Sequence, residues 1–509
     1  MSGPGTPGVL LVLDGWGHAP ASEANALSAA KTPVLDGLRT SSPSALLEAS
    51  GEAVGLLPGT VGNSEIGHMV IGAGRPLPYD SLLVQQRIDS GELRTDPLLA
   101  SVLAALAASD KAFHLVGLCS DGQIHANVEH LAVLLGAAAD HGVPRVWIHV
   151  VTDGRDVADG TAEHYLRRVK DLAEQAGKGT VATVSGRGYA LDKAGNLSLT
   201  EQVVAVIADA EGPRAASPEE AVRAGERGDE WVPPTVITDT PDAPSSRIAD
   251  RDAVLFFNFR SDRIQQLADG LVERWAATDR SVLPLSLAQY DTKAPIKALV
   301  GRADASGGLA DELASAGLRS VRIAEAEKFE HVTYYINGRD ATQRDVEEHH
   351  RITGDGPPDY RARPRMQLDQ VVDAVVTAAA RTEIPLVVAN LANIDVVGHT
   401  GDFPATVSAA EATDEAVARI VEQAGAQGRW VLLVGDHGNA EVMARPGPDG
   451  VTRPYGGHTT NPVPVVLVPA PGAYAPDTLH DGTLADVAPT ILALLGQKPG
   501  AAMTGRPLL

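Results

Sequence analysis

Short, unbroken apolar runs recur along the chain, each closing in a polar cluster. Residues 9–13, Val-Leu-Leu-Val-Leu, open the pattern and stop at Asp14. A run without polar alternation predicts a strand buried on both faces, the habit of an α/β sheet. Further strands are expected over 112–118, 146–151 and 254–258, then over 385–389, 430–434 and 463–468. Helices are expected over 98–106, 128–139, 405–423 and 486–495. Thr32-Pro33 marks another helix start, because proline suits the first helical turn. Residues 72–78 read as a linker, and a second α/β section ends near Lys293-Ala294-Pro295. Residues 212–246, rich in Pro, Asp and Arg, are expected to be largely loop, as are the charged residues 339–365.

The polar clusters carry the candidate chemistry, since open α/β sheets place ligands beyond their strand ends. Asp14 ends the first strand. Asp395 and His399 lie four apart, a spacing that a helical turn or a tight loop can aim at one ion. Asp436 and His437 are adjacent, and His458 follows in Gly457-His458-Thr459-Thr460. Carboxylates mixed with imidazoles suit Mn²⁺ or Zn²⁺ better than Mg²⁺. Ser64, between Gly62 and Gly67, is expected on a sharp glycine-flanked turn as a nucleophile that a base or metal must activate. No Gly-x-Ser-x-Gly elbow surrounds it, which argues against a Ser-His-Asp hydrolase.

A second set lies in the middle of the chain: His125, Arg155, Asp156, Arg187, Lys193, Arg260 and Arg263, with Lys328 beyond it. Guanidinium groups match phosphate and carboxylate, so these residues read as an anion pocket. Asp156 beside Arg155 suits either a general acid/base or a plain salt bridge.

Size and charge then remove several functions. A chain of 509 residues exceeds one ordinary core and implies at least two domains. A net charge of -23 excludes a basic nucleic-acid-binding face. No apolar run is long enough for a membrane span, and the first residues lack the pattern of a signal peptide. Cys119 is the single cysteine and reads as a small buried residue, which fits a cytoplasmic protein without disulfides.

At these residues the sequence resembles the cofactor-independent phosphoglycerate mutases of the alkaline phosphatase superfamily. The motifs are Leu13-Asp14-Gly15-Trp16-Gly17, Gly62-Asn63-Ser64-Glu65-Ile66-Gly67-His68, Ser120-Asp121-Gly122 with His125, and Asp153-Gly154-Arg155-Asp156. Further on they are Phe256-Phe257-Asn258-Phe259-Arg260 with Arg263, Glu327-Lys328, Asp395 with Gly398-His399, Asp436-His437-Gly438-Asn439-Ala440-Glu441, and His458-Thr459-Thr460-Asn461. The resemblance implies an α/β fold with an alkaline-phosphatase-like core, split into 1–77 and 303–509, and an inserted substrate-binding α/β domain over 78–302. It implies two Mn²⁺ ions, with Co²⁺ and Mg²⁺ as alternatives. One would be held by Asp395, His399 and His458, the other by Asp14, Ser64, Asp436 and His437. Ser64 would take the phosphoryl group of 3-phosphoglycerate and return it to form 2-phosphoglycerate, with no bisphosphoglycerate. His125, Arg155, Asp156, Arg187, Lys193, Arg260, Arg263 and Lys328 would hold the small phosphorylated acid. Asp156 would move its proton, and Lys328 would share in catalysis. One chain would carry a complete site, so a monomer is expected.

Two stretches depart from the family pattern. Lys193 stands where the family has arginine, in a chain with 33 arginines against nine lysines. Residues 347–365 carry His349-His350-Arg351 and Gly354-Asp355-Gly356 instead of the family's stretch. Both changes fall on the substrate side. They keep open a paralogue with the same chemistry on another small phosphorylated or phosphonate acid, or a metal-dependent phosphatase.

Overall fold

The structure is a computed structural model that describes residues 5–192, 195–238, 246–354, 359–446, 451–473 and 476–509. It divides into two compact units, Met1–Tyr79 with Asp304–Leu509, and Asp80–Ala303. The first is built on an eight-stranded mixed sheet. Its order is Glu347–Ile352, Ser320–Glu325, Leu386–Leu391, Gly8–Leu13, Trp430–Gly435, Val463–Val468, Ser44–Glu48 and Gly482–Thr483. Gly8–Leu13 is central because all six of its residues are buried and both its faces are covered. Val9, Leu11 and Leu13 pack with the helices Leu368–Ala379 and Phe403–Ala426. Leu10 and Val12 face the other way, toward Ser64–Ala73 and Val487–Leu494.

The second unit repeats the plan with its own core. Its eight strands run Lys297–Val300, Leu283–Ala288, Ala253–Phe256, Ala112–Leu118, Arg145–Thr152, Thr180–Gly186, Thr235–Ile237 and Arg214–Ala215. Phe113 and Leu115 meet His130–Asp140 and Ala162–Ala176 on one face. Val116 and Leu118 meet Leu197–Asp209 and Ser261–Ala277 on the other. Cys119 is buried, and burial pushes its thiol up to about 12.

Four expectations are revised. The stretch after Gly62 is not a turn, because Ser64 is the first residue of the helix Ser64–Ala73. That helix also absorbs the first two residues of the expected linker, and the chain passes into the second unit after Tyr79. Residues 339–365 contain the strand Glu347–Ile352, which pairs in parallel with Ser320–Glu325 along the sheet edge. An edge strand is held by backbone hydrogen bonds, so Glu-Glu-His-His-Arg-Ile needs no apolar alternation to form one. Residues 212–246 include the helix Pro218–Arg223 and the short strands Arg214–Ala215 and Thr235–Ile237, with residues 239–245 outside the description.

Candidate functional site

Strand register brings the first cluster together. Leu13 is level with both Leu391 and Gly435 across two parallel pairings. Asp14 and Asp436, each the next residue, therefore emerge side by side. Asp395 follows one short turn later, in the helix Asn393–Gly398, and His399 caps that helix. Val463–Val468 runs antiparallel to Trp430–Gly435, so His458, just before it, returns to the same edge.

Two donor groups result, Asp395 with His399 and His458, and Asp14 with Asp436 and His437, each with ligand atoms within 4.8 Å of one another. In the first, His399 Nδ1 lies 2.7 Å from the Gly456 carbonyl and His458 Nδ1 lies 2.8 Å from the Gly62 carbonyl. A carbonyl only accepts, so each ring spends its Nδ1 proton there and turns Nε2 inward as a lone pair. These two Nε2 atoms are 3.1 Å apart, and each is within 3.4 Å of Asp395 Oδ1. Three electron-pair donors converge with no proton between them, which fits a cation. In the second group, Asp436 Oδ2 is fully buried and has no hydrogen-bond partner among the described residues. Such an atom is costly unless a cation satisfies it.

The nucleophile candidate stands against the second group and is tied to the first through Lys328. The Asn63 side chain caps its helix by accepting from the Ile66 N–H at 3.0 Å. Lys328 Nζ donates to Ser64 Oγ at 2.5 Å, and Ser64 Oγ donates to Asp14 Oδ1 at 3.2 Å. His437 Nε2 lies 2.9 Å from the same Oγ. Lys328, expected both in catalysis and on the substrate acid, is buried against Ser64, and it also donates to Asp395 Oδ2 at 2.7 Å. Burial opposes its charge, but Asp14, Asp395 and Asp436 outweigh that and hold its pKa above the usual lysine value. Burial likewise opposes ionisation of Asp14 and Asp395, and Lys328 keeps both below the usual carboxylate range. His437 is pushed up to about 9, because Asp436 and Asp14 overcome its burial.

Gly67 is there for closeness. A Cβ on it would lie 2.6 Å from the Asp436 carbonyl oxygen and 3.1 Å from Asp436 Cβ.

In the second unit, the loops after Ala112–Leu118 and Arg145–Thr152 carry His125 and Asp156, and Arg187 opens the short helix Arg187–Ala190 directly after Thr180–Gly186. His125 Nδ1 lies 2.7 Å from Asp156 Oδ2, and Arg187 Nη1 lies 2.8 Å from Asp156 Oδ1. Burial raises the Asp156 pKa, but the bond from His125 and the charge of Arg187 lower it overall. Arg260 joins this set through the backbone, its N–H donating to the His125 carbonyl at 3.2 Å. Arg155 is more than half exposed and leans toward Glu230 at 3.5 Å, while Arg263 Nε lies 3.4 Å from Asp262. Lys193 lies outside the described residues.

The Metalloenzyme superfamily profile matches residues 6–499. The chain is 68% identical over 504 residues to the 2,3-bisphosphoglycerate-independent phosphoglycerate mutase of Streptomyces coelicolor (strain ATCC BAA-471 / A3(2) / M145), covering 99% of this chain and 98% of that relative. The chain belongs to the 2,3-bisphosphoglycerate-independent phosphoglycerate mutases. A second mutase of this family, from Synechococcus sp. (strain JA-2-3B'a(2-13)), is 40% identical over 519 residues, with 99% and 96% coverage. Among solved structures, the Leishmania mexicana phosphoglycerate mutase at low cobalt concentration matches with a TM-score of 0.79. It is 28% identical and covers 99% of this chain and 97% of that chain.

Several polar groups of this mutase had no role in the sequence reading. Asp153 Oδ1 accepts from Arg187 at 2.6 Å and from the Asp156 N–H at 2.9 Å, and Ser120 Oγ donates to its other oxygen at 2.6 Å. Glu441 accepts from the Asn439 N–H at 2.8 Å and from Asn461 at 3.0 Å. Both carboxylates lie in quoted motifs, yet only their three-dimensional neighbours show what they hold. Asn390 was missed entirely, being a polar residue inside the buried run Leu386–Leu391.

Proposed function

We propose that this mutase interconverts 3-phosphoglycerate and 2-phosphoglycerate through a phosphoserine on Ser64, on a centre with two divalent cations, and without bisphosphoglycerate. The observation that carries it is Ser64 Oγ, set against Asp14 and His437 of one donor group and joined by Lys328 to Asp395 of the other. Asp395, His399 and His458 would hold one ion, and Asp14, Ser64, Asp436 and His437 the other. The mixed nitrogen and oxygen donors favour Mn²⁺, with Co²⁺ and Mg²⁺ as alternatives. When bound, such ions supply Lewis acidity that lowers the pKa of a hydroxyl and offsets phosphoryl charge.

The chain's own residues do the rest. Ser64 Oγ, its proton released to solvent when the ions are bound, bonds to phosphorus as the bond from phosphorus to the glycerate oxygen breaks. Lys328 fixes Oγ and places positive charge beside it. The freed glycerate oxygen takes a proton, which the His125–Asp156 pair gives and later removes from the other hydroxyl. Arg187 holds Asp156 as the carboxylate, and with Arg155, Arg260, Arg263 and Lys193 it offers cationic groups to the acid. Return of the phosphoryl group from Ser64 to the second hydroxyl completes the exchange with no net use of water.

No helix of the described residues is long and apolar enough to cross a membrane. With both residue sets on one chain, the reading places the enzyme in the cytoplasm as a monomer. The test is 2-phosphoglycerate formation from 3-phosphoglycerate, without bisphosphoglycerate, after EDTA treatment and with or without Mn²⁺. Mn²⁺-restored conversion without free phosphate, lost in Ser64→Ala, is expected. Conversion that survives Ser64→Ala, or phosphate release that matches turnover, overturns the reading.

A further inference from the structure

We propose that Asn390 is a positioning residue that ties Asp14 to the helix bearing Ser64, by forcing the His68 ring to carry its proton on Nδ1. The inference rests on the reading of Asp14, Asp436 and Ser64 given above. Asn390 is fully buried, and its amide nitrogen lies 2.7 Å from Asp14 Oδ2 and 3.1 Å from His68 Nε2. The orientation of the amide is set by Asp14, because the opposite flip would turn its oxygen against a carboxylate oxygen. Both N–H bonds of that amide are then committed, one to each partner. His68 Nε2 faces a donor, so it must accept and can bear no proton.

The ring proton therefore sits on Nδ1. There it is donated to the Ser64 carbonyl at 2.8 Å, one helical turn back along Ser64–Ala73. Nδ1 also lies 3.2 Å from Asp436 Oδ2, but its proton is directed to the carbonyl, and that carboxylate oxygen remains without a hydrogen bond among the described residues. The result is one continuous link, from Asp14 Oδ2 through Asn390 and His68 to the backbone of Ser64. It leaves Asp14 Oδ1 for the Ser64 hydroxyl and Lys328. It also sets the Ser64 helix at a fixed distance from Asp14, and places a neutral ring edge beside Asp436 Oδ2. Groups that orient metal ligands in this way typically change metal affinity about 10- to 100-fold when removed.

The decisive measurement is the ¹⁵N spectrum of the histidine rings in full-length, metal-free protein, with His68→Gln used to assign the His68 signals. Nδ1 is expected to be protonated and Nε2 bare. Asn390→Asp replaces the donor by an acceptor and should place a proton on Nε2. In calorimetry with Mn²⁺ alone, Asn390→Ala should weaken one of two ions about 10- to 100-fold and leave the other unchanged. A wild-type ring protonated on Nε2, or an Asn390→Ala chain that binds both ions as the wild type does, overturns the proposal. None of these measurements contains substrate. A chain that never forms phosphoserine would sink the Ser64 reading and leave the tautomer result standing.

Discussion

Lys328 Nζ lies 2.5 Å from Ser64 Oγ, and the same ammonium reaches Asp14 in one donor group and Asp395 in the other. A single positive charge thus holds the nucleophile and joins both groups. Lys328→Met should lower kcat by about 10²–10³, the usual loss when one donor aimed at developing charge is removed. Lys328→Arg should not restore it, because a planar guanidinium cannot replace a compact ammonium in a buried site. Both variants should still take up two ions in calorimetry. Full activity in Lys328→Met would remove this lysine from the chemistry.

Metal uptake should release protons. In the metal-free chain His437 is held at about 9, so it is protonated at pH 7.5 or thereabouts. An imidazole must be neutral to bind a metal, so loading the site displaces that proton. Calorimetry in two buffers of different ionisation enthalpy would show it, and His437→Gln should abolish that contribution. Removal of metal should also lower Tm, since Asp14, Asp395 and Asp436 are buried with Lys328 and His437 as compensation. Identical heats in the two buffers would exclude the proton release.

Glycine to alanine should act oppositely at two helix positions. Alanine has the higher helix propensity, so Gly37→Ala in Pro33–Ser41, where a new Cβ meets nothing within 4 Å, should stabilise by up to about 1 kcal/mol. Gly67→Ala would press against the backbone of Asp436, so it should cost about 1–3 kcal/mol and weaken metal binding. Urea midpoints of the two variants check the signs. A stabilised Gly67→Ala chain would mean that Asp436 yields freely.

How much of this was legible in the sequence depended on where the polar residues stood. Asp14 and Asp436 close apolar runs, and a buried parallel strand announces its own end. Asn390 directly follows the expected strand 385–389, where it reads as no more than a polar strand end, and its purpose appears only when Asp14 and His68 are seen on either side. Gly62 and Gly67 suggested a turn at Ser64, because sequence cannot separate a glycine that bends the chain from one that admits a neighbour. The strand Glu347–Ile352 was hidden because pairing along a sheet edge asks nothing of its side chains. Asp153 followed an expected strand, yet the Arg187 and Ser120 that it joins come from segments more than thirty residues away on either side.

The second unit should lose stability in mild acid. His114 and His149 lie 3.0 Å apart, wholly buried between neighbouring strands, and His149 also meets Thr183 at 3.0 Å. Burial lowers both rings, although Asp252 partly offsets this at His114, and burial lowers His130 to about 4. A histidine with a depressed folded pKa stays neutral while the unfolded chain takes up protons. The contribution to stability is therefore complete above about pH 6.5 and falls as pH drops toward 4, by up to ~1.4 kcal/mol per pH unit for each ring. Urea unfolding at pH 7 and pH 5 should show the fall, and His149→Gln should reduce its slope. An unchanged slope would assign the acid sensitivity elsewhere.

The insertion of Asp80–Ala303 between the two halves of the other unit also orders events on the ribosome. Gly8–Leu13 is made before that insertion, yet the strands on either side of it, Leu386–Leu391 and Trp430–Gly435, are made after it. The inserted unit is finished before either exists. It can complete its own sheet during synthesis, as domains with all their parts to hand do. The leading strand, apolar throughout, must meanwhile stay unpaired and sheltered. The segment that ends at Asp14 is therefore both a central strand of the finished sheet and, until its partners are made, an aggregation hazard of the nascent chain.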